Sequence, residues 1–204
     1  MIVPSMTLEE IRKEIEKDYP ILYRKLGYMS EDMRKKLSKQ QLLNGYETFF
    51  DYRSKYKNQW VNRICVFKPH VNIQCMLVYH NGKGHVGIVV TAKRNLIYHT
   101  GHFFSRFNER KNLGLVTFHD IICLYLTESN AIDIQEMEEV APGVFTMFAV
   151  VPSGIIMGTV HRPFSLIKAN TFLSHEMLNH RQTELKNLVK ETMKKYQETA
   201  GLLT

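Results

Sequence analysis

Cysteine is scarce in this chain of 204 residues, which contains only three. Cys65, Cys75 and Cys123 each lie in a mostly apolar run, and their odd number and irregular spacing do not fit a disulfide framework. We interpret them as buried free thiols that behave as small hydrophobic side chains. The expected compartment is therefore reducing, and we predict a cytoplasmic location.

Long hydrophobic runs are missing as well. The longest is Val144–Val151, which has a threonine inside it, whereas a membrane-spanning helix needs about 20 apolar residues. Met1–Met6 has no basic start of the kind found in secretory signals. We therefore predict no membrane partner. A hydrophobic fraction of 44% and a charged fraction of 23% exclude a disordered or fibrous chain.

The motifs of common enzyme classes are also absent. The chain contains no GxxxxGK[ST] or GxSxG pattern, and the glycines of Gly82-Lys83-Gly84 lie in a predicted β-hairpin instead of at the start of a helix, which argues against an ordinary nucleotide-dependent enzyme or serine hydrolase. His175 and His180 are five residues apart, whereas the zinc-protease helix spaces its histidines four apart. His99 with His102 and a remote acid remains a weaker metal hypothesis. We predict no metal and no cofactor, and the sequence leaves open whether the chain is an enzyme.

Charge is present in excess but is unevenly distributed. The formal net charge is +7, and residues 34–68 carry nine Lys and Arg against two acids. Residues 83–113 carry six against one, whereas residues 114–143 carry six acids and no Lys or Arg. Basic surface attracts phosphate groups over long range, so RNA or another anionic partner is one expectation for this basic protein.

The first third of the chain has the pattern of helices. Thr7 to Glu10 forms a capping-box sequence, Pro20 predicts a break, and Ser30 predicts the start of a second helix that ends at Asn44-Gly45. The next segment, Tyr46–Tyr56, is rich in aromatic and basic residues. We favour its aromatic side chains packing on the domain over a nucleic-acid stacking surface. Residues 1–58 are thus expected to form a helical N-terminal segment.

Residues 59–204 have the pattern of an α+β body. Helices are predicted at His102–Arg110 and Thr117–Thr127, and a long helix is predicted from Ser174 to about Thr199. The predicted strands are Trp60–Phe67, Asn72–His80, His85–Thr91, Asn95–His99, Val144–Val151, Ile155–His161 and Phe164–Lys168. The predicted fold class is α+β, with N-terminal helices, an antiparallel sheet interrupted by two helices, and a long C-terminal helix.

A candidate site lies on the first of the two internal helices. His102, Arg106 and Arg110 are spaced four apart and share one helical face. An imidazole can move protons near neutral pH, and two guanidinium groups can hold a phosphate and stabilise charge on it. This set suits metal-independent cleavage of RNA. The alternative is that these arginines pair with carboxylates, with the acidic 114–143 segment as the expected partner.

A second group of candidates lies further along the chain. His161 and Arg162 follow a predicted strand, and Thr171 precedes the predicted C-terminal helix. If this meander packs beside the His102 helix, His161 and Thr171 would assist catalysis and Arg162 would join Arg106 and Arg110 in binding phosphate. The alternative is that the strand-end residues are ordinary surface side chains.

Residues 95–182 resemble the small toxin ribonucleases of the RelE, colicin and barnase group. The resemblance is carried by His102-x-x-x-Arg106-x-x-x-Arg110, by the short meander, and by Asn170-Thr171-Phe172. It implies helices ahead of an antiparallel sheet and catalysis by His, Arg and Thr without metal, with His102, Arg106, Arg110 and Thr171 in those roles. The N-terminal helices are longer than that group requires.

Two functions follow from these observations. The first is an α+β binding or assembly domain in which the arginines form structural ion pairs. The second is a toxin-like, metal-independent ribonuclease that uses His102 with Arg106 and Arg110. The substrate or ligand and the oligomeric state are not encoded in any recognisable motif.

Overall fold

In the computed structural model the chain divides into two compact units, Met1–Leu96 and Ile97–Thr204, called here the N-terminal and C-terminal units. The structure describes residues 1–40, 45–67, 70–91, 94–129, 133–180, 182–184, 186–187 and 191. The division does not coincide with the boundary that we expected after residue 58. Each unit combines helices and strands, so the α+β class is confirmed.

The N-terminal unit consists of one long helix and an antiparallel sheet. The helix α1 begins as predicted at a capping box, in which the Thr7 amide donates to Glu10 at 2.7 Å and the Glu10 amide donates to the Thr7 hydroxyl at 3.3 Å. The strands follow in sheet order β1-β2-β3-β4. The bounds are α1 Leu8–Gln40, β1 Tyr46–Arg53, β2 Gln59–Phe67, β3 His70–His80 and β4 His85–Val90.

The predicted break at Pro20 and the predicted second helix from Ser30 are wrong, since α1 continues through both residues. The reason is the apolar stripe that faces the sheet, in which buried side chains recur at alternating intervals of four and seven residues. This stripe consists of Ile11, Ile15, Leu22, Leu26, Met33 and Leu37. Pro20 lies on the exposed side of the helix, so packing of the stripe outweighs the one backbone hydrogen bond that proline removes.

The helical character expected for residues 46–58 is also wrong. Tyr46–Arg53 forms the strand β1, which pairs antiparallel with β2 from Tyr46↔Val66 to Arg53↔Gln59. Alternate aromatic side chains suit a pleated strand with one packed face. As we favoured, Phe49, Phe50 and Tyr52 are partly buried. The predicted β2, β3 and β4 and the hairpin between β3 and β4 are confirmed.

The C-terminal unit contains the two internal helices that the sequence predicts. Thr100 caps α2 by accepting a hydrogen bond from the Phe103 amide, and Thr117 caps α3 by accepting one from the Asp120 amide. The strands β6 to β9 pair antiparallel in the order β9-β8-β7-β6. The bounds are β5 Leu96–His99, α2 Gly101–Arg110, α3 Phe118–Glu128, β6 Asp133–Ala141, β7 Val144–Val151, β8 Gly154–His161 and β9 Leu166–Ser174.

The end of the chain differs from the prediction. Strand β9 extends to Ser174, which pairs with Gly154 of β8, and a 3₁₀ turn follows at His175–Met177. A helix therefore does not begin at Ser174, because Phe172 and Ser174 are buried as members of the strand. His180 and residues 182–184 are helical. Most of the predicted helix beyond them, to about Thr199, lies outside the described residues.

Candidate functional site

Helix α2 presents the predicted histidine to solvent. Its apolar side is buried through Phe103, Phe104 and Phe107, each at most 1% exposed. His102 lies on the exposed side, and Arg106 and Arg110 are partly exposed. Phe103 and Phe107 lie one turn apart and anchor the helix on its buried side, as a helical period of 3.6 residues predicts.

Both arginines of α2 are engaged by groups of the protein itself. The Arg106 Nη1 lies 2.7 Å from the Glu109 carboxylate on the same helix. The Arg110 Nη1 donates to the Phe172 carbonyl and lies 3.4 Å from the Thr171 hydroxyl on β9. Arg110 and Thr171 thus meet, as the ribonuclease hypothesis expects, but the guanidinium ties the end of α2 to the backbone of β9.

His161 and Arg162 lie elsewhere on the C-terminal unit. His161 pairs with Leu166 whereas Thr171 pairs with Met157, so four residues of β8, about 13 Å, separate the two positions. The His161 Nε2 lies 3.0 Å from the Thr159 hydroxyl. The structure therefore does not bring His161 together with Thr171.

Arg162 is held by the acidic segment that we considered as a partner for arginines. Its Nε and Nη2 lie 2.9 and 2.5 Å from the Glu136 carboxylate, and its guanidinium lies over the Phe145 ring at 4.3 Å. The same segment supplies Glu128 to Lys111. The expected ion pairs with residues 114–143 thus form with Arg162 and Lys111, whereas Arg106 and Arg110 find other partners.

A buried histidine is the least anticipated feature of this unit. The His99 Nε2 lies 2.7 Å from the Tyr125 hydroxyl, and both side chains are at most 1% exposed. Burial raises the pKa of Tyr125, against a lowering by its hydrogen bond with Ser129. Rings of Phe103 and Phe104 surround the imidazole with centroid distances of 5.0 and 5.6 Å. His99 is thus buried in an aromatic core, whereas His102 is exposed on the surface of α2.

Metal and thiol chemistry gain no support from the described residues. Within them, no group of three or more His, Cys, Asp or Glu side chains is arranged to hold a metal ion. All three cysteines are free, as predicted, but only Cys75 is buried, whereas Cys65 and Cys123 are partly exposed. Burial raises the pKa of Cys75 to about 12. The Cys123 Sγ lies 3.7 Å from the His119 Nδ1, one turn earlier on α3.

In the described ranges, no helix is both long enough and apolar enough to cross a membrane.

The N-terminal unit carries the positive charge of the chain. Residues 1–96 contain seventeen Lys and Arg against nine Asp and Glu, a net charge of +8, whereas residues 97–204 contain ten against eleven. Some of these cations lie against aromatic rings: the Lys25 Nζ is 4.9 Å from the centroids of both Phe50 and Tyr52, and the Lys55 Nζ is 4.8 Å from that of Tyr56.

An open groove runs between α1 and the start of β3. It encloses about 800 Å³, and Gly27 and residues 71–73 form part of its lining. Two tyrosines and two arginines of α1 also line it, and we call it the tyrosine–arginine groove after Tyr23, Arg24, Tyr28 and Arg34. Sequence reasoning missed these residues. The available signal was that Tyr23 and Tyr28 fall outside the apolar stripe of α1.

Comparison with protein-family models, curated proteins and solved structures finds no match for this chain. Neither the ribonuclease resemblance nor any other family assignment therefore receives support from a relative. The functional argument depends on the chain's own residues.

Proposed function

We propose that this chain is a nucleic-acid-binding protein, with RNA as the expected ligand, and that its N-terminal unit makes the contact. The observation that carries the proposal is the segregation of charge, with a net charge of +8 on residues 1–96. A surface of this kind gains affinity for a polyanion by releasing the counterions that surround its phosphates. The near-neutral C-terminal unit offers no comparable attraction.

The excess remains after internal ion pairs are taken into account. Helix α1 contains intrahelical pairs such as Lys13 with Glu9 at 3.1 Å and Lys17 with Glu14 at 2.6 Å. Each such pair is neutral, so the net charge of the unit resides on its other cations. Exposed examples are Arg24 on α1, Lys55 after β1 and Lys83 between β3 and β4. These cations come from three separate segments of the unit, one helix and two turns.

A binding experiment with the full chain tests the proposal. Fluorescence anisotropy of a labelled 12-nucleotide RNA should report binding that weakens as salt rises, with a log–log slope near −3 if about four phosphates are contacted. Replacing either Lys55 or Lys83 by Glu should weaken binding several-fold. The matched control is Lys168→Glu on β9 of the C-terminal unit, which is exposed as well and should bind as the wild type does. Absence of binding at low salt would contradict the proposal.

The ribonuclease hypothesis is the second candidate, and its remaining support is the exposed His102 one turn before Arg106 on α2. The engagement of Arg110 by the Phe172 carbonyl and of Arg106 by Glu109 reduces the positive charge available to a scissile phosphate. Cleavage of RNA in EDTA by the wild type and by His102→Ala tests it. Cleavage that disappears in the variant would favour the enzyme, and equal or absent cleavage in both would dismiss it.

A further inference from the structure

The tyrosine–arginine groove exposes rings that the fold does not bury. Tyr23 is 51% exposed and Tyr28 is 70% exposed, although both lie on a helix that covers a sheet. The Tyr23 ring is nevertheless held in place. Its centroid lies 5.6 Å from that of Tyr19, which in turn lies 6.3 Å from that of the fully buried Trp60. A ring supported from the core in this way is a pre-organised stacking surface.

The glycine in the groove has no evident structural purpose. Gly27 is in the interior of α1, where alanine is the better helix former. A Cβ built at Gly27 meets no atom within 4 Å, so neighbouring side chains do not require its small size. Its φ is not positive, so the backbone does not require glycine either. What the missing side chain does provide is free space between Tyr23 and Tyr28.

The groove has a net positive charge that one arginine supplies. Arg24 is exposed on the groove wall. Arg34 donates one hydrogen bond to Glu31 at 2.9 Å, and because this pair is neutral, Arg24 is the cation of the lining that is available to a phosphate.

We propose that the tyrosine–arginine groove binds single-stranded nucleic acid, with bases stacked on Tyr23 and Tyr28 and a phosphate at Arg24. Exposed aromatic rings beside cations are the combination with which proteins hold single strands, because every base offers a π-face and every linkage a phosphate. A duplex keeps its bases stacked on one another and cannot offer those faces. This inference rests on the nucleic-acid binding proposed above and assigns it to one site.

The test uses the full chain and fluorescein-labelled rU12, dT12 and a 12-base-pair duplex, measured by anisotropy at fixed salt. Tyr28→Ala should weaken binding of the single strands about 10-fold, the loss expected for one stacked base, and Tyr28→Phe should restore it. Gly27→Leu should also weaken binding, since its Cβ meets no atom within 4 Å and the rest of its side chain would occupy the free space beside the tyrosines. Tyr46→Ala on β1 is the control, because Tyr46 is also exposed, at 51% against 70% for Tyr28, but does not line this groove.

The outcomes separate the site from the function. Unchanged binding by Tyr28→Ala and Gly27→Leu, with melting temperatures like that of the wild type, would overturn the groove while the proposed function stands. Absence of binding by the wild type would overturn both. Duplex binding as tight as single-strand binding would contradict base stacking. Tighter binding of rU12 than of dT12 would identify RNA as the ligand, and the reverse would identify DNA.

Discussion

The two units use similar residues in opposite ways. In the C-terminal unit, aromatic rings surround His99 in the core, and the arginines are tied to partners such as Glu109 and the Phe172 carbonyl. In the N-terminal unit, Tyr23 and Tyr28 remain in solvent beside a net charge of +8. Shared helical spacing shows which side chains lie on one face. It does not show whether that face is free to bind, which depends on the partners that the fold supplies.

The largest expected effect concerns the aromatic core of the C-terminal unit. Phe103→Ala should lower the free energy of unfolding by about 3–5 kcal/mol, because it leaves a cavity among packed rings. Phe103 is fully buried and its ring lies 5.3 Å from that of Tyr125. Chemical denaturation measures the change. Phe164→Ala, at a side chain that is 63% exposed, is the control and should cost little. Equal losses in the two variants would break the contrast between packed and exposed rings.

The next effect separates structural arginines from those proposed to bind. Arg110→Ala should lower the free energy of unfolding by about 1–2 kcal/mol, because the Phe172 carbonyl loses its charged donor. Arg24→Ala in the N-terminal unit should change it by less than about 0.5 kcal/mol. The two denaturation curves measure the difference. An Arg110→Ala variant with the same free energy of unfolding as the wild type would contradict the structural role assigned to Arg110.

A smaller effect is expected at the glycine of the tyrosine–arginine groove. Gly27→Ala should raise the free energy of unfolding by about 0.5–1 kcal/mol, since alanine is the better residue in a helix interior. Gly114 is the matched control because its Cβ would also meet open space, but its φ is +62°. Gly114→Ala should therefore destabilise the protein. Thermal melts of both variants distinguish Gly114, whose backbone conformation requires glycine, from Gly27, whose missing side chain leaves space in the groove.

The smallest effect is the pH dependence at the start of α1. Hydrogen bonding to Lys17, and then to the N-terminal amine, lowers the pKa of Glu14 below its ordinary value. Its ionised form is therefore favoured in the folded state. The stability that Glu14 contributes is fully present above the pKa that this carboxyl has in the unfolded chain. It is lost as the pH falls through the lowered pKa that the carboxyl has in the folded protein.

Glu14→Gln should accordingly be slightly less stable than the wild type at pH 7 and should lose less stability between about pH 5 and pH 3. Urea denaturation at several pH values measures this difference. Glu16→Gln on the same helix, at an exposed residue, is the comparison variant. Parallel stability profiles for wild type and Glu14→Gln would contradict the contribution of Glu14.

Local signals predicted the elements whose boundaries are set by neighbouring residues. Helix α3 begins at the cap Thr117, and the turn between His80 and His85 joins β3 to β4. Helix α2 was predicted from the spacing of its residues, although its cap at Thr100 was not. Strands whose own residues do not have a clear strand pattern, and which depend on pairing with the next strand, were missed or misjudged. Strand β1 is set by its pairing with β2, and the acidic β6 forms by pairing with β7 despite a composition that does not favour strands.

The candidate site was harder to predict because its contacts join residues that are far apart in the sequence. The contact between Arg110 and the Phe172 carbonyl joins residues 62 positions apart, and that between His99 and Tyr125 joins residues 26 apart. No spacing rule encodes such pairs. The tyrosine–arginine groove needs β3 beside α1, whereas the sequence alone shows only exposed positions on a helix. Charge segregation, in contrast, was visible in the sequence because it needs no contact.

Photocrosslinking tests most directly whether the N-terminal unit carries the binding surface. The full chain would be irradiated with a single-stranded RNA containing 4-thiouridine, and the crosslinked peptides would be identified by mass spectrometry. We expect crosslinks within residues 1–96, concentrated on the peptide that contains Tyr23 and Tyr28. Crosslinks confined to residues 97–204, and above all to the peptide that contains His102, would contradict the account.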